Sequence, residues 1–251
     1  MATVKLNLDG PVAWLTLNDP ERHNVLTGQA IEQFRSHLKT VESSDETRVL
    51  VVTGTGNRTF CAGASLDELQ TGVITEHDFE ALARSLAGLS VPKIAAMNGN
   101  AYGGGAEIGL CCDFRLGVEG MKVRVPAART GLCYPPEGIQ RYVRELGPGP
   151  ARLLLVSART MDADQLLHLG YLHEVCPADS LASRARDWAN GIAELAPLSV
   201  RAMLAMCKAE AEGRLDPSAA QSWVEQCGVS ADRQEGLRAM LQKRKPVFRG
   251  R

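Results

Sequence analysis

Two glycine-rich segments contain the residues whose types and spacing could do chemistry. One is residues 60–66 (FCAGASL) and the other is residues 98–107 (NGNAYGGGAE), and each follows an apolar run. Glycines before a helix cost backbone entropy, but they leave main-chain N–H groups accessible to a ligand. Two such amides held on one carbonyl oxygen stabilise the negative charge that develops there, by about 3–4 kcal/mol per donor in favourable cases. The two segments therefore predict a site for a reacting carbonyl compound.

Glu107 is the acidic residue next to these glycines. It lies three residues beyond Gly104, about one helical turn along the chain. Its carboxylate could therefore reach a carbon atom near a carbonyl group held by the loop, as a general base requires. Two plainer interpretations stay open: glycines before a helix often serve only close packing, and a glutamate in a first helical turn is often solvated. Neither segment has the pattern of a phosphate-binding loop, a dinucleotide-binding turn or a nucleophile elbow.

The composition is ordinary for a soluble globular protein. The chain has 251 residues, of which 45% are hydrophobic and 23% charged, and its formal net charge is -1. This length fits one large domain or one domain with a small helical addition, and the charge balance points away from nucleic acid and anionic membranes. None of the seven cysteines forms a CxxC pair, so we expect reduced thiols and a cytoplasmic location, with no disulfide or metal needed. The apolar runs are shorter than the roughly 18 residues of a membrane span.

The elements that must position the glycine-rich segments alternate between strands and helices. Residues 3–9 and 12–17 alternate apolar and polar residues around an Asp-Gly turn, which predicts a hairpin. Residues 49–53 and 91–97 are continuous apolar runs, typical of strands buried on both faces. The other predicted elements are a strand at 123–125 and helices at 27–41, within 66–89, and at 106–112, 140–146, 150–157, 163–169, 180–195, 198–212 and 231–243. This pattern favours an α/β protein with stacked strand–loop–helix repeats.

Four separated motifs resemble those of the crotonase superfamily, which contains enoyl-CoA hydratases and isomerases. Residues 60–66 are similar to its F-C/A-A-G-A-D-L segment, and residues 98–113 (NGNAYGGGAEIGLCCD) to its N-G-x-A-x-G-G-G-x-E-L-x-x-x-C-D segment. Residues 17–26 (LNDPERHNVL) resemble its L-N-R-P-x-x-x-N-A-L segment, and residues 230–251 resemble its usual C-terminal ending. Because the four motifs occur in the same order along nearly the whole chain, the sequence is identified as a member of this superfamily.

The resemblance implies roles for individual residues. The N–H groups of Ala64 and Gly104 match the oxyanion hole, and Glu107 matches the first catalytic glutamate. The positions that contact coenzyme A in the family are Arg22, Val25, Ala62 and Leu66. Coenzyme A is then the carrier of an acyl thioester substrate, with no tightly bound cofactor and no metal.

The resemblance also implies the fold and the assembly. The expected fold is a crotonase-like α/β spiral of ββα repeats over residues 1–195, which contains the acyl-CoA site. Residues 196–251 are expected to form a C-terminal helical region for oligomerisation, which gives a homotrimer or a homohexamer. The partners implied are the acyl-CoA substrate and further copies of the chain, with no nucleic acid and no membrane.

One residue of the family pattern is missing. A typical hydratase of the family has a second glutamate in a Pro-Glu pair, and the matching pair in this sequence is Pro126-Ala127. Alanine cannot transfer a proton, and a general acid or base contributes roughly 10²–10⁴-fold to a rate. Glu137 or Tyr134, in the following segment, could face the acyl group instead, although Glu137 is equally suited to capping a helix.

Three hypotheses follow from this departure. The first is double-bond isomerisation or hydration of an acyl-CoA with proton transfer by Glu107, and the loss of the second carboxylate favours isomerisation. The second is another reaction of the superfamily, such as decarboxylation or thioester hydrolysis, at the same oxyanion hole. The third is a catalytically silent acyl-CoA-binding protein.

Overall fold

The chain folds as a mixed α/β protein, and the computed structural model describes residues 3–251. The strands are β1 (Val4–Asp9), β2 (Val12–Leu17), β3 (Val49–Gly54), β4 (Thr59–Cys61), β5 (Lys93–Met97), β6 (Asn100–Tyr102), β7 (Phe114–Val118), β8 (Lys122–Arg124), β9 (Met161–Asp162) and β10 (Glu174–Cys176). The α-helices are α1 (Gly28–Glu42), α2 (Leu66–Gln70), α3 (Glu76–Gly88), α4 (Gly104–Leu110), α5 (Pro136–Leu146), α6 (Pro148–Leu155), α7 (Ala163–His168), α8 (Leu181–Ala193), α9 (Pro197–Ala211), α10 (Pro217–Val229) and α11 (Ala231–Leu241). Two 3-10 turns lie at Pro20–Arg22 and Ala127–Arg129. The predicted α/β class is confirmed.

The larger sheet forms the centre of the molecule. Its strand order is β1-β2-β3-β5-β7-β10, with β1 and β2 antiparallel and the other neighbours parallel. Every residue of β5 is buried, as are the first four residues of β3. Helix α8 packs across β2, β3, β5 and β7. Strands that are covered in this way need apolar residues throughout, which explains the continuous apolar runs in the sequence.

The smaller sheet contains strands from both glycine-rich segments. Its order is β4-β6-β8-β9, in which β4, β6 and β8 are parallel and β9 is antiparallel to β8. The chain repeatedly places one strand in the larger sheet and the next in the smaller sheet, as β3 then β4, β5 then β6, and β7 then β8. A helical segment follows each pair. These ββα units confirm the predicted spiral of repeats, and they bring corresponding loops side by side.

Several short elements differ from the sequence prediction. β4 and β6 lie within segments predicted as loops, because three residues are too few to show the period of a strand. β7 is absent from the prediction because Arg115 interrupts its apolar pattern, and this buried guanidinium donates to the main-chain oxygens of Tyr171 and Cys112. α10 is also absent from the prediction, since it buries no residue and so has no apolar stripe to mark it.

Several helices begin earlier than the sequence predicts, and two of them, α4 and α5, belong to the site. α4 begins at Gly104 instead of residue 106, and α5 begins at Pro136 instead of residue 140. Proline suits a first helical position, because its fixed φ is already helical and no N–H is needed there. The early start of α5 has a consequence for the site, since it places Glu137, Gly138 and Arg141 on one helix.

The last three helices bury few side chains. Ala202 is the buried residue of α9, and α11 buries Asp232 and Ala239. Asp232 accepts hydrogen bonds from the main-chain N–H groups of Arg249 and Gly250, both at 2.7 Å, which fixes the C-terminal segment. The predicted boundary after residue 195 falls between α8 and α9 and stays a prediction. Within residues 3–251, no helix combines the length and the apolar character that crossing a membrane requires.

Candidate active site

The two glycine-rich segments come together at the start of α4. A Cβ atom built on Gly63 would lie 3.0 Å from the Gly104 nitrogen and 2.7 Å from the Tyr102 carbonyl oxygen. A Cβ atom built on Gly105 would overlap the carbonyl oxygen of Cys61. Only glycine leaves room for main chains this close, and Gly63 also has a φ of 86°. These glycines therefore bring the loop after β4 into contact with the first turn of α4.

The amide of Ala64 lies beside this contact and faces away from the neighbouring segment. In the parallel bridge between Leu26 and Ala64, Leu26 donates to the Gly63 oxygen at 2.8 Å, and Ser65 donates to the Leu26 oxygen at 3.0 Å. The N–H group of the middle residue of such a bridge points to the opposite side. Within residues 3–251, neither the Ala64 amide nor the Gly104 amide has a hydrogen-bond acceptor. Both N–H groups are therefore available to a ligand.

Glu107 is buried in the first turn of α4, with 3% of its surface exposed. Its Oε1 atom accepts a charged hydrogen bond from Arg141, and its Oε2 atom accepts one from the Tyr134 hydroxyl at 2.7 Å. Burial raises the pKa of Glu107, and the bonds from Tyr134 and Arg141 oppose that rise. A buried carboxyl group with a raised pKa and two fixed donors has the properties of a candidate general base.

Arg141 is a candidate functional residue that the sequence analysis misses. It shares the buried face of α5 with Gly138 and Tyr142, and 7% of its side chain is exposed. A guanidinium on the buried face of a helix needs an anionic partner, because an unpaired buried charge is strongly destabilising. The signal that could have revealed Arg141 is therefore a charged residue at an apolar position of an amphipathic helix.

Tyr134 reaches Glu107 through a tight contact with α5. A Cβ atom built on Gly138 would lie 2.6 Å from Tyr134 Cε1 and 3.2 Å from Glu107 Oε1. The rings of Tyr134 and Tyr142 meet edge to face, with their centroids 5.7 Å apart. Gly138 thus provides the notch in which the Tyr134 ring and the Glu107 carboxylate lie together. Tyr134, which the sequence predicts as an alternative to Glu137, therefore contacts the Glu107 carboxylate.

The Pro126-Ala127 pair lies beside the glycines of the second segment. A Cβ atom built on Gly103 would be 3.9 Å from Pro126 Cδ, and the Gly103 amide donates to the Arg124 oxygen at 2.9 Å. Ala127 is itself buried, with 8% of its surface exposed. The position that matches the family's second glutamate is therefore close to the second glycine-rich segment, but the methyl side chain of Ala127 has no proton that it could transfer.

Glu137, the other predicted proton carrier, lies at the protein surface. Its carboxylate pairs with Arg84 of α3 at 2.6 Å, and 43% of its side chain is exposed. The hydrogen bond from Arg84 lowers the pKa of Glu137. The alternative interpretation as a helix cap is not supported, since α5 has no side-chain cap at its N-terminus. Glu137 thus links α3 to α5, and its catalytic role stays a prediction.

The residues predicted to contact coenzyme A lie on the segment that precedes α1, on the loop that precedes α2 and, for Leu66, at the first position of α2. The Arg22 side chain is 57% exposed and Leu66 is 73% exposed, whereas Val25 and Ala62 are half-buried. The Ala62 amide donates to the His23 carbonyl oxygen at 3.1 Å, which joins the two loops. A cavity of about 500 Å³ is lined by residues that include His23, Arg58, Ala62, Asn100, Tyr102 and Glu119. The contacts of these four residues with coenzyme A stay a prediction.

Known proteins resemble this chain along almost its whole length. The sequence profile of the enoyl-CoA hydratase/isomerase family matches residues 8–251. A crotonyl-CoA hydratase from Syntrophomonas wolfei is 30% identical over 97% of this chain and 96% of its own length. A 2,3-dehydroadipyl-CoA hydratase from Escherichia coli is 31% identical over 96% of both chains. The crystal structure of an enoyl-CoA hydratase from Bacillus anthracis has a TM-score of 0.90 at 29% identity, and the match covers 99% of this chain and 100% of that one.

The ββα spiral and these matches define an enzyme with the crotonase fold. More particularly, the chain belongs to the enoyl-CoA hydratase/isomerase family, whose members act on coenzyme A thioesters. The family suggested by the four sequence motifs is thereby confirmed. The names of the two hydratase relatives refer to different acyl groups, so family membership alone does not identify the acyl group of the substrate.

Proposed function

We propose that the chain moves a proton on the acyl group of a coenzyme A thioester and so shifts a carbon–carbon double bond, with Glu107 as the base. The observation that carries this proposal is the meeting of two unpaired amides with one buried carboxyl group. Gly63 brings the Ala64 loop against the Gly104 nitrogen, and Glu107 follows Gly104 by one helical turn. A thioester oxygen bound to both amides would hold the acyl carbons near that carboxyl group.

The amides of Ala64 and Gly104 would act on the thioester oxygen as an oxyanion hole. Loss of a proton from the carbon next to the carbonyl spreads negative charge onto that oxygen, and fixed N–H donors stabilise it. Neither amide has to break an internal hydrogen bond among the described residues in order to do so. Phe79 of α3 lies against Gly104, where a Cβ atom would be 2.7 Å from Phe79 Cε2, so its ring covers one side of this residue.

Isomerisation needs only one group that carries a proton. From a 3-enoyl thioester, Glu107 would take a proton from the carbon next to the carbonyl, which leaves a dienolate with its charge on the oxygen. The same carboxyl group would return the proton to the fourth carbon, giving the 2-enoyl thioester with no gain or loss of atoms. Each carboxylate oxygen can accept more than one bond, so Arg141 and Tyr134 leave lone pairs free for this exchange. Ala127, in place of a second carboxylate, favours this chemistry.

Hydration is the second candidate, and the names of the relatives favour it. Both a crotonyl-CoA hydratase and a 2,3-dehydroadipyl-CoA hydratase are similar to this chain. Glu107 would then take a proton from water as the water attacks the double bond, and a proton would be delivered to the carbon next to the carbonyl. Glu137 could assist only after leaving Arg84, because its carboxylate is held there at 2.6 Å.

The carrier, the assembly and the location are further parts of the proposal. Coenzyme A would bind along the loops of Arg22, Val25, Ala62 and Leu66, which the Ala62–His23 hydrogen bond joins. Helices α9 to α11 would pack against other copies in a homotrimer or homohexamer. Their exposed apolar residues include Met203, Val224, Val229, Leu237, Met240 and Leu241. All seven cysteines are free thiols, which suits a cytoplasmic location.

A matched pair of variants tests the role of Glu107. Glu107→Gln removes the proton carrier from the buried site, whereas Glu137→Gln removes an exposed carboxylate from the neighbouring helix. With a 3-enoyl-CoA as substrate, we expect Glu107→Gln to lower kcat roughly 10²–10⁴-fold and Glu137→Gln to stay near wild type. In deuterated water, the wild-type enzyme should shift the double bond, and mass spectrometry detects deuterium wherever the proton on Glu107 exchanges with solvent before it is returned.

Each alternative predicts a different product. Absence of both bond migration and deuterium uptake would exclude isomerisation, and a product heavier by one water would identify hydration. Release of carbon dioxide or of a free acid would identify decarboxylation or thioester hydrolysis. Loss of activity in Glu137→Gln alone would transfer the catalytic role to Glu137. Binding of acyl-CoA without turnover, unchanged in Glu107→Gln, would identify a silent binder.

A further inference from the structure

We infer that Tyr134 is a positioning residue which, together with Arg141, sets the orientation and the charge of Glu107 in a site where alanine replaces the family's second glutamate. The inference rests on the proposed function of Glu107 and adds two residues to it. Among residues 3–251, the Tyr134 hydroxyl and the Arg141 guanidinium are the side-chain donors to the Glu107 carboxylate. The side chain of Ala127, at the position of the family's second glutamate, offers neither a donor nor an acceptor.

The two donors hold the two carboxylate oxygens separately. Arg141 binds Oε1 and Tyr134 binds Oε2, the latter at 2.7 Å. A carboxylate held at both oxygens cannot turn about its last bond without breaking a hydrogen bond to a charged group, and such bonds are stronger than neutral ones. The remaining lone pairs of Glu107 therefore point in fixed directions. A base that must take a proton from one carbon and return it to another benefits from a fixed direction.

Tyr134 is itself held rigidly. Pro135 and Pro136 follow it directly, and a residue before proline is restricted to an extended backbone. Its ring lies in the notch left by Gly138 and meets the Tyr142 ring edge to face. Burial raises the pKa of the Tyr134 phenol well above its ordinary value, so the hydroxyl keeps its proton and acts as a donor at neutral pH.

The charge of Glu107 results from opposing influences. Burial and, more weakly, the negative charge of Glu80 on α3 favour the neutral carboxylic acid, whereas Tyr134 and Arg141 favour the carboxylate, which is the form that can take a proton. A glutamate at position 127 would favour the neutral acid further, through repulsion of like charges. The phenol of Tyr134 instead supplies a hydrogen-bond donor without adding a charge. Tyr134 and Arg141 together thus keep a buried group ready to act as a base.

Two tyrosine variants test this inference. Tyr134→Phe keeps the ring and removes only the hydroxyl that binds Glu107. Tyr171→Phe is the matched control, because Tyr171 is also buried and its hydroxyl donates to the Ala106 oxygen of α4 at 2.7 Å rather than to the carboxylate. Thermal unfolding of both variants first establishes that they fold.

The pH profile of kcat/KM is the main measurement, with a 3-enoyl-CoA as substrate. In Tyr134→Phe, the loss of a donor to the carboxylate favours protonated Glu107, so the acid limb of the profile should move to higher pH. We expect kcat to fall roughly 10- to 100-fold and KM to change little. Tyr171→Phe should leave the acid limb in place even where it lowers Tm. An unchanged limb in Tyr134→Phe, or an equal shift in both variants, would overturn the inference.

A titration without substrate separates this inference from the proposed function. NMR of isotope-labelled glutamate carboxyl groups follows each ionisation, and the Glu107 signal is the one missing from Glu107→Gln. A higher Glu107 pKa in Tyr134→Phe supports the inference even if the wild-type enzyme performs some other reaction. An unchanged Glu107 pKa overturns it, while a loss of activity in Glu107→Gln would still support Glu107 as the base.

Discussion

Glu107 and Glu137 each lie in the first turn of a helix and each pair with an arginine, but their surroundings differ. Glu107 is 3% exposed and bound by Arg141, whereas the Glu137 side chain is 43% exposed and bound by Arg84. Burial raises the pKa of Glu107, while the bond from Arg84 lowers the pKa of Glu137. Pairing with arginine is common to both residues, so burial is what distinguishes the candidate base from the surface carboxylate.

The largest expected difference between Glu107 and Glu137 is the loss of stability when the arginine that pairs with each is removed. Arg141→Gln leaves Glu107 buried with Tyr134 as its remaining donor, and we expect unfolding free energy to fall by about 3–5 kcal/mol at neutral pH. Arg84→Gln leaves Glu137 exposed to water, and we expect a much smaller loss, because exposed ion pairs contribute little to stability. Urea unfolding of the two variants beside the wild type measures both losses.

The pH dependence of these losses provides the control. In Arg141→Gln, the folded pKa of Glu107 rises further above its unfolded value, so stability should recover as the pH falls and the carboxyl group takes up its proton. In Arg84→Gln, the folded pKa of Glu137 returns towards its unfolded value, so this group gives the variant no added stability as the pH falls. The small loss disappears in acid only because the wild type loses its ion pair there. Equal losses at neutral pH in the two variants would contradict the distinction by burial.

The notch at Gly138 offers a second test, with a smaller expected effect. Gly138→Ala would place a Cβ atom 2.6 Å from Tyr134 Cε1, which should cost about 1–3 kcal/mol and displace the donor to Glu107. We expect kcat to fall roughly tenfold or more. Gly191→Ala on α8 is the control, because a Cβ atom there would meet nothing within 4 Å and no proline follows it. It should stabilise the protein by about 0.5–1 kcal/mol and leave kcat unchanged.

The long helices and strands of the fold can be predicted from the local sequence, whereas the short strands cannot. Thr27 starts α1 as predicted, since its hydroxyl accepts a hydrogen bond from the Ala30 amide at 3.1 Å. The hairpin and the two buried strands are likewise confirmed. β4 and β6 are strands because they pair with each other across the chain, and no local preference of three residues could reveal that pairing. β7 depends on Arg115, whose partner Tyr171 is distant in sequence.

Some residues of the candidate site can likewise be predicted from local sequence, and others cannot. Gly104 and Glu107 are close in sequence, so the spacing alone indicates that they share the first turn of a helix. Tyr134 and Arg141 join Glu107 only because α5 packs against α4, and a single sequence does not report that contact. The start of α5 also decides the place of Glu137, since neighbouring helical residues differ by about 100° in direction. Gly138 faces the site, and the side chain of Glu137 points to Arg84 at the surface.

Substitution of Glu137 should have the smallest effect on stability. Any larger effect would therefore show that Glu137 does more than form a surface ion pair. Its folded pKa lies below its unfolded value, so its pairing with Arg84 stabilises the fold above the unfolded pKa and is lost as the pH falls through the folded pKa. Glu137→Gln should therefore lower stability by at most about 1 kcal/mol at neutral pH, and less at high salt. Urea unfolding at neutral and acid pH, in low and high salt, measures the difference. A larger loss that persists in acid could not come from this ion pair, because the pair no longer exists there. Glu137 would then hold α3 and α5 together over Glu107, and its place in the catalytic site would have to be reconsidered.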